Sequence, residues 1–273
     1  MSEYPIRVLS LGAGVQSTTL LRMAIRSEVP PVSHAVFSDT GWEPRAVYDH
    51  LAVLQKECED AGIKFTIVSR GNIRSDAYDL DKRWASVPVY IYSKQGKKAI
   101  MRRQCTYDYK IEPLVKEERA IAGLRKGQHC KEHRITTVIG ISYDESHRMK
   151  DPKFRWIRHD YPLVDMKITR QDCLDWNEQH GYPLPPRSAC IGCPYHNNDE
   201  WRHLKAESPQ DWEDAVAFDS DLRNNDRILE RLGGAEAYLH QARVPLDQVD
   251  LRTTAETGQG SLFGDECEGM CGI

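Results

Sequence analysis

The chain has 273 residues, of which 40% are apolar and 29% charged. That balance excludes collagen-like, low-complexity and unfolded chains and suits one large domain or a domain with an appendage. Its formal charge is −4 and its pI is near 6.2, which excludes a protein that coats nucleic acid by overall positive charge. Any such contact has to be local. No stretch reaches the ~18 successive apolar residues of a membrane span, and Met1-Ser-Glu-Tyr-Pro5 lacks a basic-then-apolar leader. The expected address is therefore the cytoplasm, with no membrane partner. Thiols stay reduced there, so eight cysteines raise metal or redox chemistry rather than a disulfide framework.

In chain order, Ile6 to Leu11 is an apolar run that predicts a strand, Gly12-Ala-Gly14 a turn, and Ser17 to Ile25 a helix with apolar residues at helical spacing. His34 to Ser38 predicts a second strand. Val47, Leu51, Leu54, Cys58 and Ala61 trace a helical stripe stopped by Gly62, and Lys64 to Val68 predicts a third strand. Trp84 to Tyr92 reads as extended, Lys94 to Lys98 as a basic loop, Pro113 to Leu124 as a helix, and Ile135 to Ile141 as a β-branched central strand. Thr169 with Asp172 opens a capped helix ended by Gly181, Ser188 to Tyr195 is a cysteine loop, and Ser208 opens a polar helix towards Arg231. Strands alternating with helices predict an α/β, Rossmann-like, doubly wound and mainly parallel sheet with helices on both faces. The expected organisation is an α/β nucleotide-binding part over 1–165, a cysteine-loop and helical region over 166–250, and a cysteine-containing flexible tail over 251–273.

Ser10-Leu-Gly-Ala-Gly-Val-Gln-Ser17 puts glycines and hydroxyls between a strand and a helix N-terminus, where backbone amides and the helix dipole attract an anion. It is neither a Walker loop nor a dinucleotide fingerprint. Asp39-Thr-Gly41 and Gly140 to Arg148 follow other strands, so all three segments are expected on the ligand-binding rim of the sheet. Asp39 suits a magnesium ion or a ribose hydroxyl, and Arg148 a phosphate or sulfate.

Ser10 to Ser17, Ser38-Asp-Thr-Gly41, Cys105 with Lys110-Ile-Glu-Pro-Leu114, Gly140 to Arg148 and Ser188-Ala-Cys-Ile-Gly-Cys193 together resemble the PP-loop, or adenine-nucleotide α-hydrolase-like, superfamily in its phosphoadenylyl-sulfate (PAPS) reductase branch. The resemblance implies a HUP-type fold. It also implies an adenine nucleotide, ATP or an adenylyl-sulfate type, with Mg2+. Ser10, Gly12, Gly14, Gln16, Ser17 and Thr18 would hold it, together with Asp39, Thr40, Gly41, Gly140, Asp144 and Glu145, and Asp39 and Arg148 would stand at the reacting phosphate. One position departs from the pattern: loops that cleave ATP to AMP carry an aspartate where this chain has Gln16.

In the iron–sulfur members of that branch a cysteine pair and a later Cys-x-x-Cys ligate a [4Fe–4S] cluster. Here the pair is Cys105 followed by Thr106. The resemblance thus implies a three-cysteine cluster on Cys105, Cys190 and Cys193, with one iron open to hydrosulfide or substrate. The alternatives are completion of the set by Cys267 or Cys271, or three buried thiols without a metal. Glu266-Cys-Glu-Gly-Met-Cys-Gly272 partly matches the reductases' attacking Glu-Cys-Gly tail. Cys267 and Cys271 are therefore candidate nucleophiles or persulfide carriers, served by a cysteine desulfurase or a thioredoxin-like donor. Lys94 to Arg103 concentrates cations just before Cys105, a local site for a DNA or RNA acceptor or for a nucleotide's 3′-phosphate. Two enzymatic readings follow, an ATP-dependent sulfurtransferase and a thiol-dependent adenylyl-sulfate or PAPS reductase. A nucleotide-sensing subunit is the non-catalytic alternative, and the assembly state, homodimer included, is open.

Overall fold

A computed structural model describes residues 5–81, 87–92, 96–252 and 256. In chain order its elements are β1 (Ile6–Leu11), α1 (Val15–Ile25), β2 (His34–Asp39), α2 (Arg45–Asp60), β3 (Lys64–Ser69), β4 (Tyr90–Tyr92) and β5 (Lys98–Ile100). They continue with α3 (Glu112–Ile121), β6 (Ile135–Ile139), β7 (Ile157–Asp160), α4 (Pro162–Asp165), α5 (Arg170–Gln179), α6 (Asn198–Glu207), α7 (Pro209–Asn224), α8 (Asp226–Arg231) and β8 (Ala237–Tyr238).

The main sheet has the order β3-β2-β1-β6-β7, and every pairing in it is parallel. Alternation along the strands sends successive side chains to opposite faces. Leu9, Leu11, Ala35 and Phe37 pack with Leu20, Leu21, Leu51, Leu54 and Cys173 of α1, α2 and α5, while Val8, Val36 and Ile135 pack with Leu114 of α3 and with Trp156. The sheet is therefore α/β with both faces covered. The chain builds outward from β1 to β3 and then returns to add β6 on the other side of β1. The loops after β1 and β6 consequently part at the carboxyl edge of the sheet and leave a crevice there.

A further core gathers Trp201, Phe218, Leu222 and Ile228 of α6, α7 and α8 with Trp42, Cys190 and Cys193. An antiparallel sheet in the order β5-β4-β8 lies beside it. Among the described residues no helix is long and apolar enough to cross a membrane.

The expected strands over Ile6–Leu11, His34–Ser38 and Lys64–Val68 form, as does the capped helix at Thr169, where Thr169 and Asp172 make a capping box. Elsewhere the structure differs from the expectation. The helix expected from Pro113 begins earlier, because a π-helix over Thr106–Ile111 runs straight into α3. The polar helix expected from Ser208 to Arg231 breaks at Asn225, whose side chain accepts from Arg227 N at 3.1 Å and starts α8 anew. Lys98, expected in a loop, pairs within a hairpin through β4 and β5. The expected extended run from Trp84 is described only from residue 87 onward.

Between α3 and the sheet, the Glu118 carboxyl is buried and bonded to the Thr137 hydroxyl, and burial pushes its pKa up to about 7. Its folded value therefore lies above its unfolded one, so its contribution to stability is fully present below the unfolded pKa and is lost as pH rises through 7. Glu118→Gln should raise unfolding stability on the order of 2 kcal/mol more at pH 8 than at pH 5. Urea melts at the two pH values measure this, and equal effects at both would refute it.

Candidate functional site

The phosphate loop leaves β1 and enters α1 at the crevice. Gly14 is the N-cap of α1 in extended conformation, with no side-chain cap and no acidic residue in the first turn. The helix therefore presents uncapped amides and the positive end of its dipole, which is what an anion requires. Ser17 turns back into the loop: its Oγ accepts from Gly12 N at 3.1 Å and donates to the Gly14 carbonyl at 3.4 Å. The left-handed residue of this loop is Ala13, at φ 58°, so the turn does not depend on glycine at that point. Glycine is needed at position 140, where an added Cβ would stand 2.8 Å from Ser17 Cα and 2.9 Å from Ser17 N. The end of β6 thus touches the phosphate loop backbone to backbone.

Around this loop the predicted residues take different places. Ser10 is buried at the end of β1. Gln16 Nε2 donates to Glu145 Oε2 at 3.3 Å, and Arg148 pairs with the other oxygen of Glu145, so a polar chain spans the loops after β1 and β6. Asp144 is exposed and accepts from Arg170 N at 3.1 Å, turned towards α5. Thr18 is fully buried against His50, with its Oγ1 3.1 Å from Nε2, so its side chain points inward, away from the loop. Asp39 Oδ1 closes a turn onto Gly41 N at 2.7 Å and receives the Tyr48 hydroxyl at 3.0 Å. Gly41 has φ +73°, and a Cβ there would lie 2.9 Å from Asn72 Cα.

Cys105, Cys190 and Cys193, from two segments far apart in sequence, line one open pocket. Thr40, Thr106, Lys110, Arg103, Ser188 and Tyr195 line it too. Cys105 is the N-cap of the π-helix. That helix is fixed by an Arg70–Asp108 ion pair at 3.1 Å and by Ser38 Oγ donating to the Lys110 carbonyl at 2.9 Å. π-Helical turns cost hydrogen-bond geometry and are frequent at functional sites. Cys190 and Cys193 sit on a tight turn in which Cys193 N donates to the Cys190 carbonyl at 2.9 Å. The six described cysteines are thiols outside any disulfide. Cys267 and Cys271 lie outside the described residues, as does Lys94. Lys97, Lys98 and Arg102 are exposed on the hairpin and beside it, and Arg103 stacks its guanidinium 4.5 Å from the centre of the Tyr195 ring.

Three polar residues not singled out from the sequence matter here: Lys110 and Ser188 line this pocket, and Glu43 contacts residues that line it. Glu43 has a fully buried side chain. Its Oε1 accepts from Thr40 Oγ1 at 3.1 Å, lies 3.5 Å from Lys110 Nζ, and receives the Cys190 thiol at 3.8 Å. Glu43 Oε2 and the Ser188 hydroxyl are buried without a hydrogen-bond partner. Burial pushes the Cys190 thiol well above its ordinary pKa; Glu43 adds to the rise and Lys110 opposes it. Among the described residues no three His, Cys, Asp or Glu side chains gather closely enough to hold a single metal ion.

Gly192 is set by packing. A Cβ there would stand 2.1 Å from the Trp42 indole, and that indole is fixed by Nε1 donating to Asp214 at 2.6 Å and by edge packing on Phe218 at 4.9 Å. Gly192→Ala should destabilise the fold by about 1–3 kcal/mol, the cost of forcing atoms into a filled core, and should change the tryptophan fluorescence. A urea midpoint and emission spectrum equal to the parent's would show that the loop yields freely.

No protein-family model and no curated protein matches the chain. Among solved structures it is similar to phosphoadenylyl-sulfate (PAPS) reductase from Candida auris in a phosphate complex, with 14% identity, a TM-score of 0.43, and coverage of 67% of this chain and 76% of that one. It is also similar to the U34-tRNA thiolase NcsA from Methanococcus maripaludis with its [4Fe-4S] cluster, with 17% identity, a TM-score of 0.43, and coverage of 92% of this chain and 75% of that one.

Proposed function

We propose that the chain is a nucleotide-dependent sulfur-transfer enzyme. An adenine nucleotide at the phosphate loop activates an acceptor, and a three-cysteine [4Fe–4S] centre in the adjoining pocket serves the sulfur. The observation that carries this reading is contiguity: Ser188 lines the cysteine pocket, and its Cβ is 3.6 Å from where a Cβ of Gly14 would stand. A phosphate on the loop and a group in the pocket would be neighbours.

The residues fit such a centre. Cys105, Cys190 and Cys193 line one pocket, three thiol donors from two segments. A three-thiol set suits a polynuclear cluster, in which each thiolate binds a different iron, whereas structural zinc needs four donors about 2.0–2.3 Å from one centre. When bound, the cluster supplies an iron Lewis acid for a sulfur ligand. Ligation needs thiolates, and Lys110 is the cation placed to compensate their charge.

The protein's own part is to bind and orient. The amides at the start of α1 and the Ser188 hydroxyl suit the phosphates, which Mg2+ would accompany, and Gln16 with the Glu145–Arg148 pair closes the crevice beside them. The acceptor oxygen attacks the α-phosphorus of ATP and pyrophosphate leaves. A sulfur nucleophile then forms the carbon–sulfur bond, and AMP leaves with the electrons of the broken carbon–oxygen bond. Exposed Lys97, Lys98 and Arg102 near Arg103, which lines the pocket, suit an acceptor rich in phosphate, a DNA or RNA strand.

Protein purified without oxygen should be brown, with iron and acid-labile sulfide, and Cys105→Ser, Cys190→Ser or Cys193→Ser should bleach it; stoichiometric zinc without sulfide would sink the cluster. Gly140→Ala drives a methyl group into the Ser17 backbone and should weaken adenine-nucleotide binding at least about tenfold by calorimetry while the colour stays. Unchanged affinity would remove the phosphate loop from the reading. Sulfite release from adenylyl sulfate that depends wholly on Cys267 would identify a reductase instead. Sulfide-driven transfer that survives deletion of residues 265 to 273 is the expected pattern.

A further inference from the structure

The three cysteines leave one donor position of the proposed centre unassigned, and resting on that reading we propose that Glu43 fills it through Oε2. The carboxylate belongs to the loop after β2 and is wholly buried. Its first oxygen is fully engaged: Thr40 Oγ1 donates at 3.1 Å, Lys110 Nζ stands at 3.5 Å, and the Cys190 thiol approaches at 3.8 Å. Thr40 has one proton and spends it on Glu43. At 3.3 Å from Cys190 Sγ the Thr40 oxygen can then only accept. All three groups that meet Oε1 line the cysteine pocket. The second oxygen, one carboxylate width away, is buried and unpartnered.

A buried carboxylate oxygen without a partner is costly, and buried polar atoms are nearly always satisfied. Lys110 offsets the charge from the Oε1 side and leaves the lone pairs of Oε2 unmet. A metal cation beside Cys190 meets them. Thr106 follows Cys105 where the resemblance implies a second cysteine, and it lines the pocket, but its hydroxyl is neutral. Glu43 is a buried carboxylate against one of the presumed ligands, and carboxylates are established iron ligands. A carboxylate also exchanges more readily than a fourth thiolate, so the same iron would be held at rest and still be open to an incoming sulfur ligand.

The test compares full-length wild type, Glu43→Gln and Glu43→Asp, all purified without oxygen, by iron and sulfide content and by electron paramagnetic resonance after mild ferricyanide oxidation. ATP calorimetry with Mg2+ and circular dichroism accompany these. Glu43→Gln keeps the shape and removes the ligand charge. It should fold, bind nucleotide as the parent does, and convert to a three-iron signal at least about tenfold faster, with Glu43→Asp between the two. Equal conversion rates in all three proteins would overturn the assignment while the cluster stands. Loss of nucleotide binding with unchanged cluster behaviour would likewise overturn it, placing Oε2 at the nucleotide's metal. Wild type that carries zinc, or no metal, would overturn the cluster reading and this ligand together.

Discussion

The cysteine loop can approach the carboxyl edge of the sheet because position 192 is a glycine and leaves its space to an indole. Trp42 lies on the Cys190–Cys193 turn so closely that no side chain fits at position 192, and its carbonyl accepts from Ile191 N at 2.9 Å. The same ring is anchored to α7 through Asp214 and Phe218. Three parts of the chain meet there: the loop after β2, the cysteine turn and the C-terminal helices. Because the ring is rigid and its hydrogen bond directional, the turn is held in one place relative to β2. The positions of Cys190, Thr40 and Glu43 follow from that.

A second close approach does the same for the phosphate loop. Gly140 at the end of β6 abuts the backbone of Ser17, so the strand on one side of the crevice fixes the helix start on the other. Ser188 bridges the loop and the pocket, lining the pocket with its Cβ 3.6 Å from where a Cβ of Gly14 would stand. Contiguity of the two sites is thus a packing result, obtained with glycines whose role is to let other atoms come near.

Much of the sheet could be read from the residues. β1, β2, β3 and β6 are short apolar runs between helical stripes, and for β1, β2 and β6 burial leaves little choice of structure. The π-helix, α6, the hairpin and β7 were harder, since their boundaries are set by contacts: Ser38 and Arg70 hold the π-helix, and Asn225 interrupts an otherwise continuous polar helix. The phosphate loop was legible as a loop, but its left-handed residue is Ala13, and the glycine that matters most for its placement is 140, over a hundred residues away. Cys105 could be joined to Cys190 and Cys193 only through the resemblance, as nothing in their spacing brings them together. Glu43 and Lys110 gave no signal of their own. A carboxylate in a loop reads as solvated, and only the fold removes it from water.

The pocket's electrostatics also bear on why its residues are mixed in kind. The buried Cys190 thiol is a poor acid, and Glu43 makes it poorer. Left alone, such a group would stay neutral. Lys110 is the opposing influence, close enough to pair with Glu43 and to favour the thiolate at Cys190. A cation bound among the thiols would reverse the sign of the whole arrangement, turning each acid from a liability into a ligand. Glu43 would gain most from that reversal, since Lys110 meets Oε1 while Oε2 is buried without a hydrogen-bond partner.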